Sequence, residues 1–287
     1  MKMAKLISLN VKGLNSIHKR YLALKEIKQS GAEIAFIQET HFSKEGPQKL
    51  YSKFYPTAYY ASGPHKKAGV AILIHKDSPL IIDRTLQDPK GHYLIISGNY
   101  AKVPILLINI YSPNKRQISF LRKVIAKLCP FTTPLIIMGG DFNMTYSQIT
   151  DRSFPSKDRM AHTLSTRFRQ TMRQASLFDA WRITHPKDRQ YTFYSPVYKS
   201  HSRIDYFFIS HPCLRLHFST NILPLTWSDH APLLLTIDLT KLPPREAHWR
   251  LHETLLHDPE AYKSIETKLR EFFQLNEGSV NSLATLW

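Results

Sequence analysis

Short apolar runs recur along the first two-thirds of the chain and again near residue 235. Many of them place isoleucine and valine in quick succession, which is typical of strands that are buried on both faces. Polar and turn-forming residues separate the runs. The pattern predicts strands over Leu6–Leu9, Ile34–Ile37, Val70–Ile74, Tyr93–Ile96, Ile105–Ile110, Leu135–Met138, Ile204–Ile209 and Leu233–Leu239.

Helices are predicted between several of these strands, where apolar residues recur every three or four positions. They lie around Tyr21–Lys28, Phe120–Leu128 and Phe168–Ala175. We expect Gly31 to end the first helix and Pro130 the second, because glycine and proline commonly follow helix C-termini. Two strand-rich halves with helices indicate an α/β fold, in which two packed sheets of about ten strands in total carry helices on their outer faces.

A domain boundary is predicted at Lys241–Pro244, where two prolines follow the last apolar run. We expect one domain over residues 1–240 and a linker with a helical extension over residues 241–287. The chain ends at Trp287 without a closing signal, which leaves open that it is the start of a longer protein. The extension carries an apolar helical face that would need a partner surface, formed by Tyr262, Ile265, Leu269 and Phe272.

Composition and charge narrow the class of protein. Hydrophobic residues make up 43% of the 287 residues, enough for a full core. No apolar stretch approaches the ~18 residues of a membrane span, so we expect no membrane partner. The formal charge of +17 points to a polyanionic partner. Two cysteines without metal-ligand spacing fit a reducing compartment, nuclear and/or cytoplasmic.

Candidate chemistry lies where the apolar runs end. Asn10, Glu39 and Asp141 each follow such a run, and Ser228–His230 precedes the last one. Oxygen-rich residues with one imidazole suit Mg²⁺ or Mn²⁺ and a phosphoryl substrate. Each cluster alone is better explained as a turn, a solvated strand end or a cap. The ordered set, together with Tyr111–Asn114 and Ser202–Tyr206, is much harder to obtain by chance.

With these clusters the chain resembles the exonuclease–endonuclease–phosphatase superfamily, and most closely the apurinic-type endonuclease domain of LINE-type non-long-terminal-repeat retrotransposons. The resemblance covers roughly residues 4 to 240 and implies a DNase I-like four-layered sandwich. It is carried by Ser8–Asn15, Ile37–His41, Lys67–Leu73, Gly91–Tyr93, Asn109–Asn114, Met138–Asn143, Asp151–Ser153, Tyr191–Phe193, Ser202–Asp205 and Ser228–His230.

The resemblance implies a metal site that holds Mg²⁺, with Mn²⁺ as a second candidate. Asn10 and Glu39 would bind the ion, with Asp229 close by, because hard cations prefer oxygen ligands. Lys12 departs from the repair nucleases of the superfamily, which usually have Asp or Asn at this position. A cation there would weaken metal binding or contact a phosphate, or the side chain would simply point to solvent.

The resemblance also implies catalytic roles. Asp141, oriented by Asn143, would position or deprotonate the attacking water. His230 would contact the scissile phosphate, and Asp205 would fix its tautomer. Tyr111 would line the phosphate site. The opposite assignment, with His230 as the base and Asp141 as its phosphate or leaving-group partner, stays open at this point.

Substrate contacts are expected on the surrounding loops. The segment Tyr194–His201 is predicted to be a hairpin tip suited to a DNA groove, or merely a connecting loop. Repair enzymes of the superfamily carry tryptophan near the position of Thr192, whereas this chain has none there, which favours cleavage of undamaged DNA. The substrate-binding residues implied are Asn114, Arg152, Thr192, Ser202, Ser228, Tyr198 and Lys199.

The expected function is metal-dependent nicking of duplex DNA that leaves 3′-hydroxyl and 5′-phosphate ends, as in target-primed retrotransposition. A reverse transcriptase, covalently linked or separate, would then extend the 3′ end. One alternative is an exonuclease III-like or abasic-site repair nuclease. A second is a catalytically inactive DNA-binding relic, which Lys12 keeps open. A third alternative, a phosphoinositide phosphatase or a deadenylase, agrees less well with the amino-acid sequence between Tyr191 and Asp205.

Overall fold

The computed structural model describes residues 3–43, 50–64, 67–131, 133, 135–240 and 253–276. Two six-stranded sheets form the body of the protein. The first has the spatial order β13 (Phe218–Ile222), β14 (Leu233–Ile237), β1 (Ala4–Asn10), β2 (Ile34–Gln38), β4 (Val70–Ile74) and β3 (Thr57–Ala61). The second has the order β5 (Leu80–Gln87), β6 (Tyr93–Tyr100), β7 (Val103–Tyr111), β8 (Leu135–Asp141), β12 (Asp205–Ser210) and β9 (Leu177–Asp179).

Both sheets are mixed. β1 and β2 are parallel, as are β7 and β8, while the other neighbours are antiparallel. The central core lies between the sheets, where Leu6 and Phe36 of the first meet Leu107, Ile137 and Phe207 of the second. The predicted α/β sandwich of two packed mixed sheets is therefore confirmed.

Helices cover the outer face of each sheet and complete four layers. α1 (Ile17–Ser30) packs on the first sheet, and α2 (Gln117–Ala126) and α3 (Arg159–Gln174) pack on the second. Gly31 ends α1 in the left-handed region, with φ of 68°, as predicted. α2 ends at Ala126, four residues before Pro130. A short helix, α4 (Ala180–Thr184), follows β9.

All eight predicted strands overlap observed ones, but the expected total of about ten was too low. The described residues form fourteen strands. Four of the additional strands, β3, β5, β9 and β13, are the edge strands of the two sheets. The other two, β10 (Phe193–Ser195) and β11 (Ser200–Ser202), form the separate hairpin predicted around Tyr194–His201.

The C-terminal segment returns to the body of the protein. A 3-10 turn, Glu253–His257, packs against α2 and α3 and leads into α5 (Pro259–Asn276). On α5, Tyr262, Leu269 and Phe272 are exposed. The predicted boundary at Lys241–Pro244 lies outside the described residues. Within the described residues, none of the helices has the length and apolar character needed to cross a membrane.

Candidate active site

The candidate residues meet at one edge of the sandwich because the strands that carry them end there. Asn10 and Gln38, the last residues of parallel β1 and β2, are paired. Tyr111 and Asp141 are paired in the same way at the ends of β7 and β8. Because side chains alternate along a strand, these four residues lie on the same strand faces as the apolar side chains of the central core. Asp205 begins antiparallel β12 directly opposite Asp141.

A cleft of about 430 Å³ opens at this edge. Its wall combines acidic, amide, hydroxyl and basic side chains, and most of the predicted site residues contribute to it. Phe193, Ser195, Ser200 and Ile204 also line it, although none of the four was predicted individually as a site residue. The predicted residues in the wall are Glu39, Tyr111, Asn114, Asp141, Asn143, Arg152, Tyr198, Ser202, Asp229 and His230, joined by Lys12.

Asp141 is buried in the cleft, and both of its carboxylate oxygens accept hydrogen bonds. Oδ1 accepts a hydrogen bond from the backbone N–H of Asn143 at 2.8 Å, and Oδ2 accepts one from Nδ2 of Asn10 at 2.9 Å. Burial raises the pKa of Asp141, the neighbouring Asp205 raises it further, and His230 only partly offsets them. A carboxylate that is held rigidly and accepts a proton readily is suited to act as a base.

His230 forms a dyad with Asp205. Its Nδ1 lies 2.8 Å from Asp205 Oδ2, and its Nε2 lies 4.0 Å from Asp141 Oδ2. The ring also packs on Phe193, with 4.8 Å between the ring centroids. Burial lowers the pKa of His230, but Asp205, Asp141 and Asp229 outweigh it and raise the pKa to about 9. The imidazole is therefore cationic at neutral pH, with Nε2 directed to the cleft side of the dyad.

Glu39 stays ionised despite its partial burial. Burial raises its pKa, but hydrogen bonds from His41, Asn10 and Tyr111 lower it to about 2. Asn10 Nδ2 donates to Glu39 Oε1 at 2.9 Å, and so joins Glu39 to Asp141. Glu39 has φ of 54°, a left-handed conformation that costs a non-glycine residue about 1–2 kcal/mol. Such strain is common where a fold fixes functional side chains.

Lys12 contacts the predicted metal ligand Asp229. Its Nζ lies 2.7 Å from Asp229 Oδ2, although 62% of the lysine side chain is exposed. The hydrogen bond and the charge of Asp229 raise the pKa of Lys12. Of the two interpretations of Lys12, the structure thus favours a cation inside the site over a side chain that points to solvent.

Three predicted substrate-binding residues lie away from the cleft wall. Thr192 is fully buried, and its Oγ1 accepts the backbone N–H groups of Ile204 and Asp205. Ser228 is buried and donates its hydroxyl to the carbonyl of Asn10 at 2.7 Å. Both hold the strands that carry the dyad instead of reaching outward. Lys199 is exposed at the hairpin tip, with φ of 45°.

A buried ion network supports one side of the cleft. Arg203 is completely buried, and its guanidinium contacts Asp151 at 2.9 Å and Asp179 at 2.6 Å. Arg182 contacts Asp151 at 2.6 Å from the other side. Neighbours of this network in sequence, Arg152 and Ser202, line the cleft. Asp151 and Arg203 lie in segments that carry the family resemblance, but the sequence analysis assigned them no role. The spacing of apolar residues does not predict a buried arginine.

Comparison with known proteins identifies the family. Residues 7–230, which include every strand end of the cleft, match the sequence profile of the Endonuclease/Exonuclease/phosphatase family. The chain belongs to this family.

Relatives within the family include transposon and nuclease sequences. The chain is 26% identical over 283 residues to the Transposon TX1 uncharacterized 149 kDa protein of Xenopus laevis, which covers 94% of this chain and 21% of that protein. It is 24% identical over 260 residues to an Exodeoxyribonuclease of Bacillus subtilis (strain 168), covering 82% of this chain and 100% of the relative. The chain thus spans about a fifth of the transposon protein.

The fold agrees with that of a solved relative. The crystal structure of the AP endonuclease LMAP from Leishmania major superposes with a TM-score of 0.70 and 18% sequence identity, over 83% of this chain and 88% of that chain. The predicted DNase I-like arrangement of two sheets flanked by helices is therefore confirmed.

Family nucleases use divalent metals. Asp141, Asp205 and His230 present ligand atoms within 4.8 Å of one another, and Asp205 and His230 are hydrogen-bonded to each other. Glu39 and Asp229, which are predicted metal ligands, also line the cleft. Asp229 Oδ1 is buried and has no hydrogen-bond partner among the described residues, and Glu39 is ionised. These oxygens fit a hard cation.

Proposed function

We propose that this chain is a divalent-metal-dependent endonuclease that nicks intact duplex DNA and leaves 3′-hydroxyl and 5′-phosphate ends. The observation that carries the proposal is the convergence, in one cleft, of the Asp205–His230 dyad with the carboxylates of Asp141, Glu39 and Asp229. The charge of +17 supports a polyanionic substrate. Similarity to a transposon protein and to an exodeoxyribonuclease supports DNA in particular.

In the proposed mechanism each side chain of the cleft transfers a proton, donates or accepts a hydrogen bond, or binds the metal ion. Asp141 takes a proton from the attacking water, since its pKa is raised and both oxygens are fixed. Cationic His230 donates a hydrogen bond from Nε2 to the scissile phosphate, while Asp205 accepts the Nδ1–H and fixes the orientation of the ring. Glu39 and Asp229 would hold Mg²⁺ or Mn²⁺. Asn10, the other predicted ligand, has a side-chain oxygen that accepts the backbone N–H of Lys12 at 3.0 Å. The ion would stabilise charge on the phosphate and on the leaving 3′ oxygen.

The pKa values favour this assignment over the one in which His230 is the base. A histidine with a pKa of about 9 already carries its proton at neutral pH and cannot accept another. The pKa of Asp141, by contrast, is raised above the usual range of a carboxyl group, which makes its carboxylate a better base. The hydroxyl of Tyr111 bonds to Glu39, and its raised pKa keeps it a donor.

An exonuclease III-like or abasic-site repair nuclease is the second candidate function, because the Bacillus subtilis exodeoxyribonuclease aligns over its whole length. Two duplexes of one sequence, one intact and one with a single abasic site, separate the two functions. We expect cleavage of both at similar rates, since the loop after Thr192 has tyrosine and phenylalanine but no tryptophan. Cleavage confined to the abasic duplex would establish the repair function instead.

The product suggests a partner. A 3′-hydroxyl at a nick can prime DNA synthesis, and we infer that a reverse transcriptase, linked or separate, uses it. We place this activity in the nucleus and/or the cytoplasm. Cys129 and Cys213 are both unpaired, in keeping with a reducing compartment.

Lys12 should compete with the metal ion for Asp229. Because the lysine is largely exposed, its ion pair is worth at most about 1 kcal/mol, equivalent to roughly a five-fold change in affinity. We expect Lys12→Gln to lower the Mg²⁺ concentration for half-maximal nicking by up to that factor. Calorimetric titration with Mn²⁺ should show the same tightening, whereas Lys25→Gln should show none. An unchanged or weaker affinity in Lys12→Gln would contradict this role.

The hairpin Tyr194–His201 should determine where the protein cuts. Tyr198 is 77% exposed at its tip, yet also lines the cleft, and the segment has no acidic residue. Replacing residues 196–199 by a Gly-Ser turn should broaden the distribution of nick positions and change the rate on single-stranded DNA less. Sequencing the nicks made by both proteins in one plasmid measures this. An unchanged distribution would mean that recognition lies elsewhere.

A further inference from the structure

A second charged surface lies outside the cleft, between α2, α3 and the C-terminal 3-10 turn. This α2–α3 groove has a volume of about 1050 Å³. His257, Asp258 and Pro259 form its wall on the side of the C-terminal segment. Five exposed cations from the two helices and their first residues line the rest: Arg116, Arg122, Lys123, Arg159 and Arg167.

The positive charge of the groove is only partly offset. Its two carboxylates, Asp158 and Asp258, stand against five cations, and each carboxylate accepts a backbone N–H at a helix start, from Met160 at 2.8 Å and from Glu260 at 3.0 Å. Within the part of the chain that the structure describes, none of the five groove cations forms an ion pair with a carboxylate. The groove is therefore an electropositive surface that faces solvent.

Two chain segments run from the catalytic cleft to the groove. Asn114 lines the cleft, and Arg116, two residues later, lines the groove. Arg152 lines the cleft as well, and Arg159 lines the groove. Because two residues span at most about 7 Å, Arg116 at the groove lies close to Asn114 at the cleft.

We propose that the α2–α3 groove binds the phosphodiester backbone of a nucleic-acid strand beyond the scissile site. In the cleft itself, the carboxylates of Glu39, Asp141 and Asp229 offset the cations Lys12, Arg152 and His230. The cleft therefore has little net positive charge, and cations outside it would supply much of the affinity for phosphates. Four of the five groove cations are arginines, whose planar guanidinium matches phosphate oxygens in pairs. The choice of nucleic acid as the polyanion rests on the proposed function.

The test compares two triple variants with the same loss of charge. One removes groove cations by Arg122→Gln, Lys123→Gln and Arg167→Gln. Its control removes exposed cations elsewhere, by Lys25→Gln, Lys76→Gln and Lys102→Gln. Fluorescence anisotropy in EDTA gives the affinity for a 40-base-pair duplex, a 10-base-pair duplex, single-stranded DNA and single-stranded RNA at several salt concentrations. Thermal unfolding shows that both variants are folded.

For the groove variant we expect the slope of log affinity against log salt to fall by about 2 to 3 on the 40-base-pair duplex, since each lost phosphate contact removes about 0.9. The 10-base-pair duplex and the control variant should change little. A comparable fall in this slope with single-stranded RNA, and with none of the DNA probes, would identify an RNA strand as the ligand. Equal slopes for wild type and groove variant on all four probes would overturn the proposal, as would an equal loss in the control. Because EDTA prevents cleavage, failure of the nuclease function would be seen separately, as an absence of nicking with Mg²⁺.

Discussion

Replacing Glu39 or Asp141 by alanine is expected to abolish nicking while the fold is kept. In the proposed mechanism Glu39 would supply an ionised oxygen for the metal, and Asp141, whose oxygens are fixed, would act as the base. Losing either group removes transition-state stabilisation of several kcal/mol, which corresponds to a rate loss of at least about 100-fold. Initial rates of conversion of supercoiled to open-circular plasmid measure the loss.

We expect these two variants to lose activity without losing stability. Asp141 is buried beside Asp205, so its removal relieves repulsion between carboxylates. Melting temperatures close to that of wild type would separate loss of chemistry from loss of structure. Asp83→Ala, at an exposed carboxylate on β5, is the matched control and should nick at the wild-type rate. If either Glu39→Ala or Asp141→Ala cleaves within a few-fold of wild type, the site assignment is wrong.

Replacing Arg203 by methionine should cause the largest loss of stability. The substitution leaves Asp179 and Asp151 buried, with only Arg182 as a remaining cation. Removing one partner of a buried ion network costs about 3–5 kcal/mol, because the remaining charge stays desolvated. Urea unfolding measures the shift in midpoint. Arg270→Met, which breaks an exposed ion pair with Glu266 on α5, should leave the midpoint unchanged.

A second substitution tests the cause of that loss. In Arg203→Met combined with Asp179→Asn, the stranded carboxylate becomes neutral, so part of the stability should return. If the double variant is no more stable than Arg203→Met alone, packing around Trp181, which lies 4.9 Å from the Arg203 guanidinium, would be the main contribution instead. Nicking should follow stability in both variants, since Ser202 lies beside the network.

The sequence pattern predicted the interior of both sheets and failed at their edges. β4 is buried at every position and reads as an uninterrupted apolar run, Val70–Ile74. β5, at the edge of its sheet, mixes exposed and partly buried positions over Leu80–Gln87. An edge strand has one neighbour and needs fewer apolar residues, so it lacks the signal of a buried strand. β9 is only three residues long and left no pattern to detect.

The location of the site was predictable, but its internal pairing was not. Polar residues at the ends of Leu6–Leu9 and Leu135–Met138 indicated an edge of the sandwich, and the structure brings them together there. The ion pair between Lys12 and Asp229 joins residues 217 positions apart, and no local pattern encodes it. Thr192 was assigned to substrate by resemblance alone. Its burial beneath β12 depends on the packing of the hairpin.

Supercoiled plasmid nicking with end mapping tests the central claim most directly. Wild-type protein with Mg²⁺ should convert the plasmid to open circles whose nicks a DNA polymerase extends without phosphatase treatment, as 3′-hydroxyl ends allow. EDTA, or Asp229→Ala in place of wild type, should abolish the conversion. Nicks that form in EDTA, that carry 3′-phosphate ends, or that appear equally with Asp229→Ala would contradict a metal-dependent endonuclease built on this cleft.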